Sequence, residues 1–132
     1  MRQAQCEERV RQWFASNGYT MLPKEVLGWE VIAQKDDDMW LVEMRGEEFN
    51  SLSNEGDFER MVGQIPARID QFDDKTHRTV AVPLEDYKPV LRKFAQSLFW
   101  TQMAVGLILV SEGSPTISYL KPDEVGAWLA RF

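Results

Sequence analysis

The sequence predicts an α/β domain, a central mixed β-sheet flanked by helices on both faces with element order αβββαβαββα. Two patterns support this. Apolar residues recur at helical spacing in stretches at both ends of the chain and in its middle, whereas other stretches alternate or run continuously apolar, as strands do. The strand-like stretches come in runs with helical patterns before and after them, which implies a sheet of mixed direction covered on both sides.

From Gln3 to Ser16, Cys6, Val10, Trp13 and Phe14 recur at helical spacing, and Asn17–Gly18 supplies a stop signal. "YTMLP" reads as a short strand. "GWEVIAQKDDDMWLVEMRG" reads as two strands joined by a polar turn around Asp36–Asp38, hence a β-hairpin. Over 53–74, Phe58, Met61, Val62, Ile65, Ile69 and Phe72 mark a helix that Pro66 should kink or interrupt. "HRTVAVPL" alternates as a strand, and 85–103 reads as one helix with Val90, Leu91, Phe94, Leu98 and Phe99 on its apolar face. "VGLILVS" is a strand buried on both sides, "PTISYLKP" a polar-flanked strand, and "PDEVGAWLARF" a closing helix with proline in its first turn.

At 132 residues the chain is expected to form a single domain over 1–132, large enough for a core without disulfides. Cys6 is the lone cysteine and His77 the lone histidine, so neither an internal disulfide nor a Cys/His zinc cluster is available. A reducing, cytoplasmic setting is expected. "MAVGLILV" is far shorter than a membrane span. The net charge of −6 opposes nucleic-acid binding on average, unless cations are concentrated locally or a bound metal alters the balance.

Alternation in "GWEVIA" puts Trp29, Val31 and Ala33 on one face and Glu30 with Ile32 on the other; in "LVEMRG", Leu41, Glu43 and Arg45 share a face. Glu30 and Glu43 lie thirteen positions apart across one hairpin, so Glu30, Glu43 and Arg45 can meet on one side of two paired strands. Two carboxylates can hold Mg²⁺ through oxygen, and a neighbouring cation can stabilise charge developing on a phosphate. Phosphodiester hydrolysis uses such a set.

The helix, three-stranded meander, helix and strand, with "GWEVIA" followed by "WLVEMRG", resemble the PD-(D/E)xK nuclease superfamily, the restriction-endonuclease-like fold, over roughly residues 3 to 110. The resemblance implies a metal-dependent DNA endonuclease using Mg²⁺ or Mn²⁺. Glu30 takes the place of the family's acidic residue at the second core strand, Glu43 that of the glutamate on the third, and Arg45 that of its lysine. Glu7 corresponds to an acidic residue of the first helix and Gln64 to a glutamine on the helix after the Glu-x-Lys motif. Glu30 is one methylene longer than the usual aspartate. Arg45, with a pKa above ~12, can clamp a phosphate but cannot exchange a proton as lysine can.

Against this stand plainer readings: an ion-pair cluster at strand ends, Glu7 and Glu8 as solvated residues favoured by the helix dipole, and Gln64 as an ordinary polar helix residue. Cys6 reads as core, His77 as a surface residue, and "KDDDMW" as a hairpin turn that lacks the glycine and distal glutamate of a calcium loop. Arg60, Arg68, Lys75, Arg78, Lys88, Arg92 and Lys93 are candidate DNA contacts, though no clean basic stripe emerges. The alternatives to a nuclease are a catalytically degenerate member binding a protein or nucleic acid, and an accessory protein whose acidic surface meets basic partners. A homodimer fits a small enzyme that must cut two strands.

Overall fold

The computed structural model describes residues 1–24, 28–44, 51–65, 75–114 and 116–131, except for the side chains at 51–54 and 57. Among these, six strands form one mixed sheet in the order β1-β2-β3-β4-β5-β6. The strands are β1 (Thr20–Leu22), β2 (Val31–Lys35), β3 (Asp38–Met44), β4 (Thr76–Pro83), β5 (Val105–Val110) and β6 (Ile117–Leu120). The helices are α1 (Gln3–Ser16), α2 (Ser51–Gln64), α3 (Leu84–Lys93), α4 (Phe99–Gln102) and α5 (Pro122–Leu129).

The chain begins as α1 because Cys6, Val10 and Phe14 make one continuous buried stripe. Gly18 ends it: at φ 85 it reverses the chain so that the Tyr19 N–H reaches the Phe14 carbonyl at 3.0 Å. The meander follows, with β1–β2 and β2–β3 antiparallel. Lys35 pairs with Asp38, so the turn is only two residues long, and Asp36 takes the left-handed φ of 53 that such a turn requires.

From β3 the chain crosses over by α2 to a parallel β4, then by α3 and α4 to a parallel β5, and returns antiparallel in β6. Every residue of β5 is buried, which explains its unbroken apolar run. One face of the sheet packs Ile32, Leu41, Val80, Val82, Leu107 and Leu109 against α2, α3, α4 and α5. The other packs Val31, Ala33, Trp40, Val42, Ala81, Ile108 and Val110 against α1. Among the described residues, helices therefore cover both faces, four on one side and one on the other. None of the described helices is long and apolar enough to cross a membrane.

Several expectations are corrected. The helix expected over 85–103 is two helices, giving the order αβββαβααββα. After Lys93 the backbone turns, the Trp100 indole N–H donates to the Phe94 carbonyl at 3.1 Å, and the Ser97 hydroxyl accepts the Phe99 N–H at 3.2 Å, so side chains satisfy the groups freed by the break. Leu98, assigned to the apolar face, is 64% exposed in that break. Trp29 packs with Ile32 rather than with Val31 and Ala33, because it precedes the strand, next to Gly28 at φ 77, and escapes the alternation. The helix α2 starts two residues before the expected 53. Pro66, Ile69 and Phe72 lie outside the described residues.

His77 is not a plain surface residue. Opposite Trp40 in the parallel β3–β4 register, it stacks on that indole at 4.3 Å between ring centroids and brings Nε2 to 2.7 Å from Asp38 Oδ1. Cys6 is core, fully buried, and burial pushes its thiol up to about 12. Trp100 is buried as well, with Phe99 and Trp128 packed against the same core; Phe132 lies outside the described residues.

Candidate active site

The register Val31↔Val42 carries the residue before β2, Glu30, towards Glu43 near the end of β3. Within β3, Glu43 shares the face of Leu41, which α2 covers, whereas Glu30 precedes β2 and lies beyond its alternation. Gln64, the last residue of α2, reaches the same place. Glu30, Glu43 and Gln64 line one cavity of about 290 Å³ together with Gln3, Lys24, Gly28 and Met44.

Within the cavity the two carboxylates differ. Glu43 is buried, with 8% of its surface accessible. Glu30 is half-buried and accepts a hydrogen bond from Lys24 Nζ at 2.8 Å. Burial alone raises the Glu30 pKa, but hydrogen bonds with Lys24 and Glu7 and the charges of Lys24 and Arg11 outweigh it, leaving the carboxyl below its ordinary value. Arg11 fixes this corner from α1: its Nε donates to Glu7 Oε2 at 3.3 Å and its Nη2 to the Glu30 carbonyl at 3.2 Å.

Of the five residues singled out in the sequence, Glu30, Glu43 and Gln64 thus share a cavity, and Glu7 comes within hydrogen-bonding reach of Glu30. Glu8, one position on, is exposed and accepts from Gln12 instead. Arg45 lies outside the described residues. Sequence patterning missed Lys24, Arg11 and Gln3. Arg11 and Gln3 are polar positions of an amphipathic helix, and Lys24 follows β1 in a stretch with no period, so only proximity distinguishes them. Among the candidate DNA contacts, Arg78 is buried, Lys93 pairs with Glu55 at 2.8 Å, and Arg68 lies outside the described residues.

The side-chain oxygens lining the cavity belong to two carboxylates and two amides, a set suited to a hard divalent cation that keeps several waters. Among the described residues no three His, Cys, Asp or Glu side chains gather into a metal-binding group, so protein carboxylates would supply only part of the coordination. Comparison of the chain with known protein families, with curated proteins and with solved structures yields no match.

Proposed function

We propose that this protein is a metal-dependent endonuclease of the PD-(D/E)xK type, hydrolysing phosphodiester bonds in DNA on a restriction-endonuclease-like fold. The observation that carries the reading is the meeting of Glu30, Glu43 and Gln64 in one polar cavity, with Glu7 against Glu30. These residues come from three separate elements and from the segment leading into β2, and all were singled out by one motif. The antiparallel meander followed by a helical crossover to a parallel β4 is the supporting arrangement of strands.

In this reading Glu30 and Glu43 hold Mg²⁺ or Mn²⁺ and Gln64 orients the water or phosphate beside them. The bound ion supplies Lewis acidity and lowers the pKa of a coordinated water. Glu7 and Arg11 keep the Glu30 carboxylate and backbone in place, and Arg45 clamps the phosphate bidentately.

The second reading is a catalytically degenerate member of the same fold serving as a protein- or nucleic-acid-binding accessory. The Lys24–Glu30 ion pair favours it, since a neutralised carboxylate is a poorer ligand. Titration of Mn²⁺ into wild type and Glu43→Gln, followed by cleavage assays on single-stranded, duplex and branched DNA, separates the two. A nuclease shows metal-dependent cleavage that falls at least ~100-fold in the variant, the scale lost when a main electrostatic contributor is removed. Absence of both metal binding and cleavage leaves only the accessory role.

A further inference from the structure

Lys24 faces the cavity from a position outside the motif, and its contacts suggest a role. Its Nζ donates to Glu30 Oε2 at 2.8 Å, while its carbonyl accepts the Gly28 N–H at 2.8 Å, so a backbone hydrogen bond anchors the residue from which the ammonium reaches the carboxylate. The pair is asymmetric: the Glu30 side chain is 20% accessible and the Lys24 side chain 55%. The carboxylate is held in the fold, and the lysine stands on its solvent side.

An ammonium and a divalent cation are alternative counter-charges for the same carboxylate. Both want its oxygens, and two cations in one small cavity repel each other. We propose that Lys24 is a built-in competitor for the divalent cation at Glu30: the Lys24–Glu30 ion pair opens when the cation binds and closes when it leaves. This rests on the metal-dependent reading of the site. Lys24 therefore sets the cation concentration at which the site loads, and it keeps the half-buried Glu30 paired in the unloaded state. Once released from Glu30, its ammonium is at the cavity's rim, where an anionic phosphate would enter.

The test is direct Mn²⁺ binding, followed by the electron paramagnetic resonance of the free ion, in wild type, Lys24→Met, Lys24→Arg and Glu43→Gln. Lys24→Met is expected to bind Mn²⁺ roughly three- to tenfold more tightly, because one exposed ion pair and one like-charge repulsion are removed. Lys24→Arg keeps the charge and stays near wild type. Unchanged or weaker binding in Lys24→Met, with wild type binding and Glu43→Gln impaired, overturns the competitor role and leaves the metal site standing. Failure of all four proteins to bind overturns both. Because Lys24 is largely exposed, thermal unfolding of Lys24→Met should match wild type, which excludes a folding defect as the cause of any change.

Discussion

His77 Nε2 lies 2.7 Å from Asp38 Oδ1, with the imidazole stacked on Trp40, and this contact ties the start of β3 to the start of β4 at the end of the sheet away from the Glu30–Glu43 cavity. Asp38 also accepts hydrogen bonds from the Tyr19 hydroxyl and, at 3.0 Å, from the Trp40 indole N–H. One carboxylate thus joins the segment leading into β1 to both strands.

Asp38 therefore gives the fold an acid-side sensitivity. Burial raises its pKa, but the hydrogen bonds from Tyr19, Trp40 and His77, with the charge of His77, lower it further than burial raises it. A carboxyl with a depressed folded value contributes stability that is present above its unfolded pKa of about 3.9 and is lost as pH falls through the folded value. Its side chain is 37% exposed, so solvent screening reduces the contribution. Asp38→Asn should cost ~1–2 kcal/mol at neutral pH through its hydrogen bonds, and its stability should fall less steeply than wild type below pH ~4. Urea unfolding at several pH values measures both effects.

Gly106 in β5 should not tolerate a side chain. A Cβ there would stand 2.7 Å from a Tyr119 ring carbon and 2.8 Å from the Leu120 carbonyl oxygen, and the backbone of β6 cannot yield as a flexible side chain would. Gly106→Ala is expected to lose ~1–3 kcal/mol by forcing β5 and β6 apart. Denaturant unfolding should show a lower midpoint. Trimming the facing ring with Tyr119→Ala should recover only part of the loss, since the carbonyl clash remains.

Cys6 should be chemically silent in the folded protein. Its thiol is fully buried and, chiefly through desolvation, pushed up to about 12, so almost no thiolate forms near neutral pH. Iodoacetamide at pH 8 is expected to label the native chain at least ~100-fold more slowly than the chain in guanidinium, as read by intact mass. Comparable rates in the two states would mean that α1 detaches readily from its face of the sheet.

Much of this architecture was legible because periodicity reports burial. The stripe of Cys6, Val10 and Phe14 defines α1 from Gln3 to Ser16, and the alternation of Leu41 and Glu43 against Val42 and Met44 assigns β3's two faces. The break between α3 and α4 was not legible: its apolar residues keep a plausible helical spacing through Leu98, and the turn is held by contacts that follow from tertiary placement, the Trp100 indole reaching back to Phe94 and the Ser97 hydroxyl receiving the Phe99 N–H. Trp29 was misplaced because alternation holds inside a strand and fails just before it.

For the candidate site, the sequence alone determined that Glu43 shares the face of Leu41 within β3 and that the hairpin brings Glu30 to the same strand end, while the direction of Glu30, which precedes β2, lay beyond the reach of alternation. Tertiary structure decided what joins them. Gln64 arrives because α2 packs on the face of Leu41, Glu7 because α1, which covers the opposite face, also reaches the Glu30 backbone through Arg11, and Lys24 because a backbone hydrogen bond with Gly28 holds it beside Glu30. Residues on regular elements announce their direction through a repeat. A loop has no repeat, so the reach of Lys24 is set only by where the packed helices and strands leave its backbone.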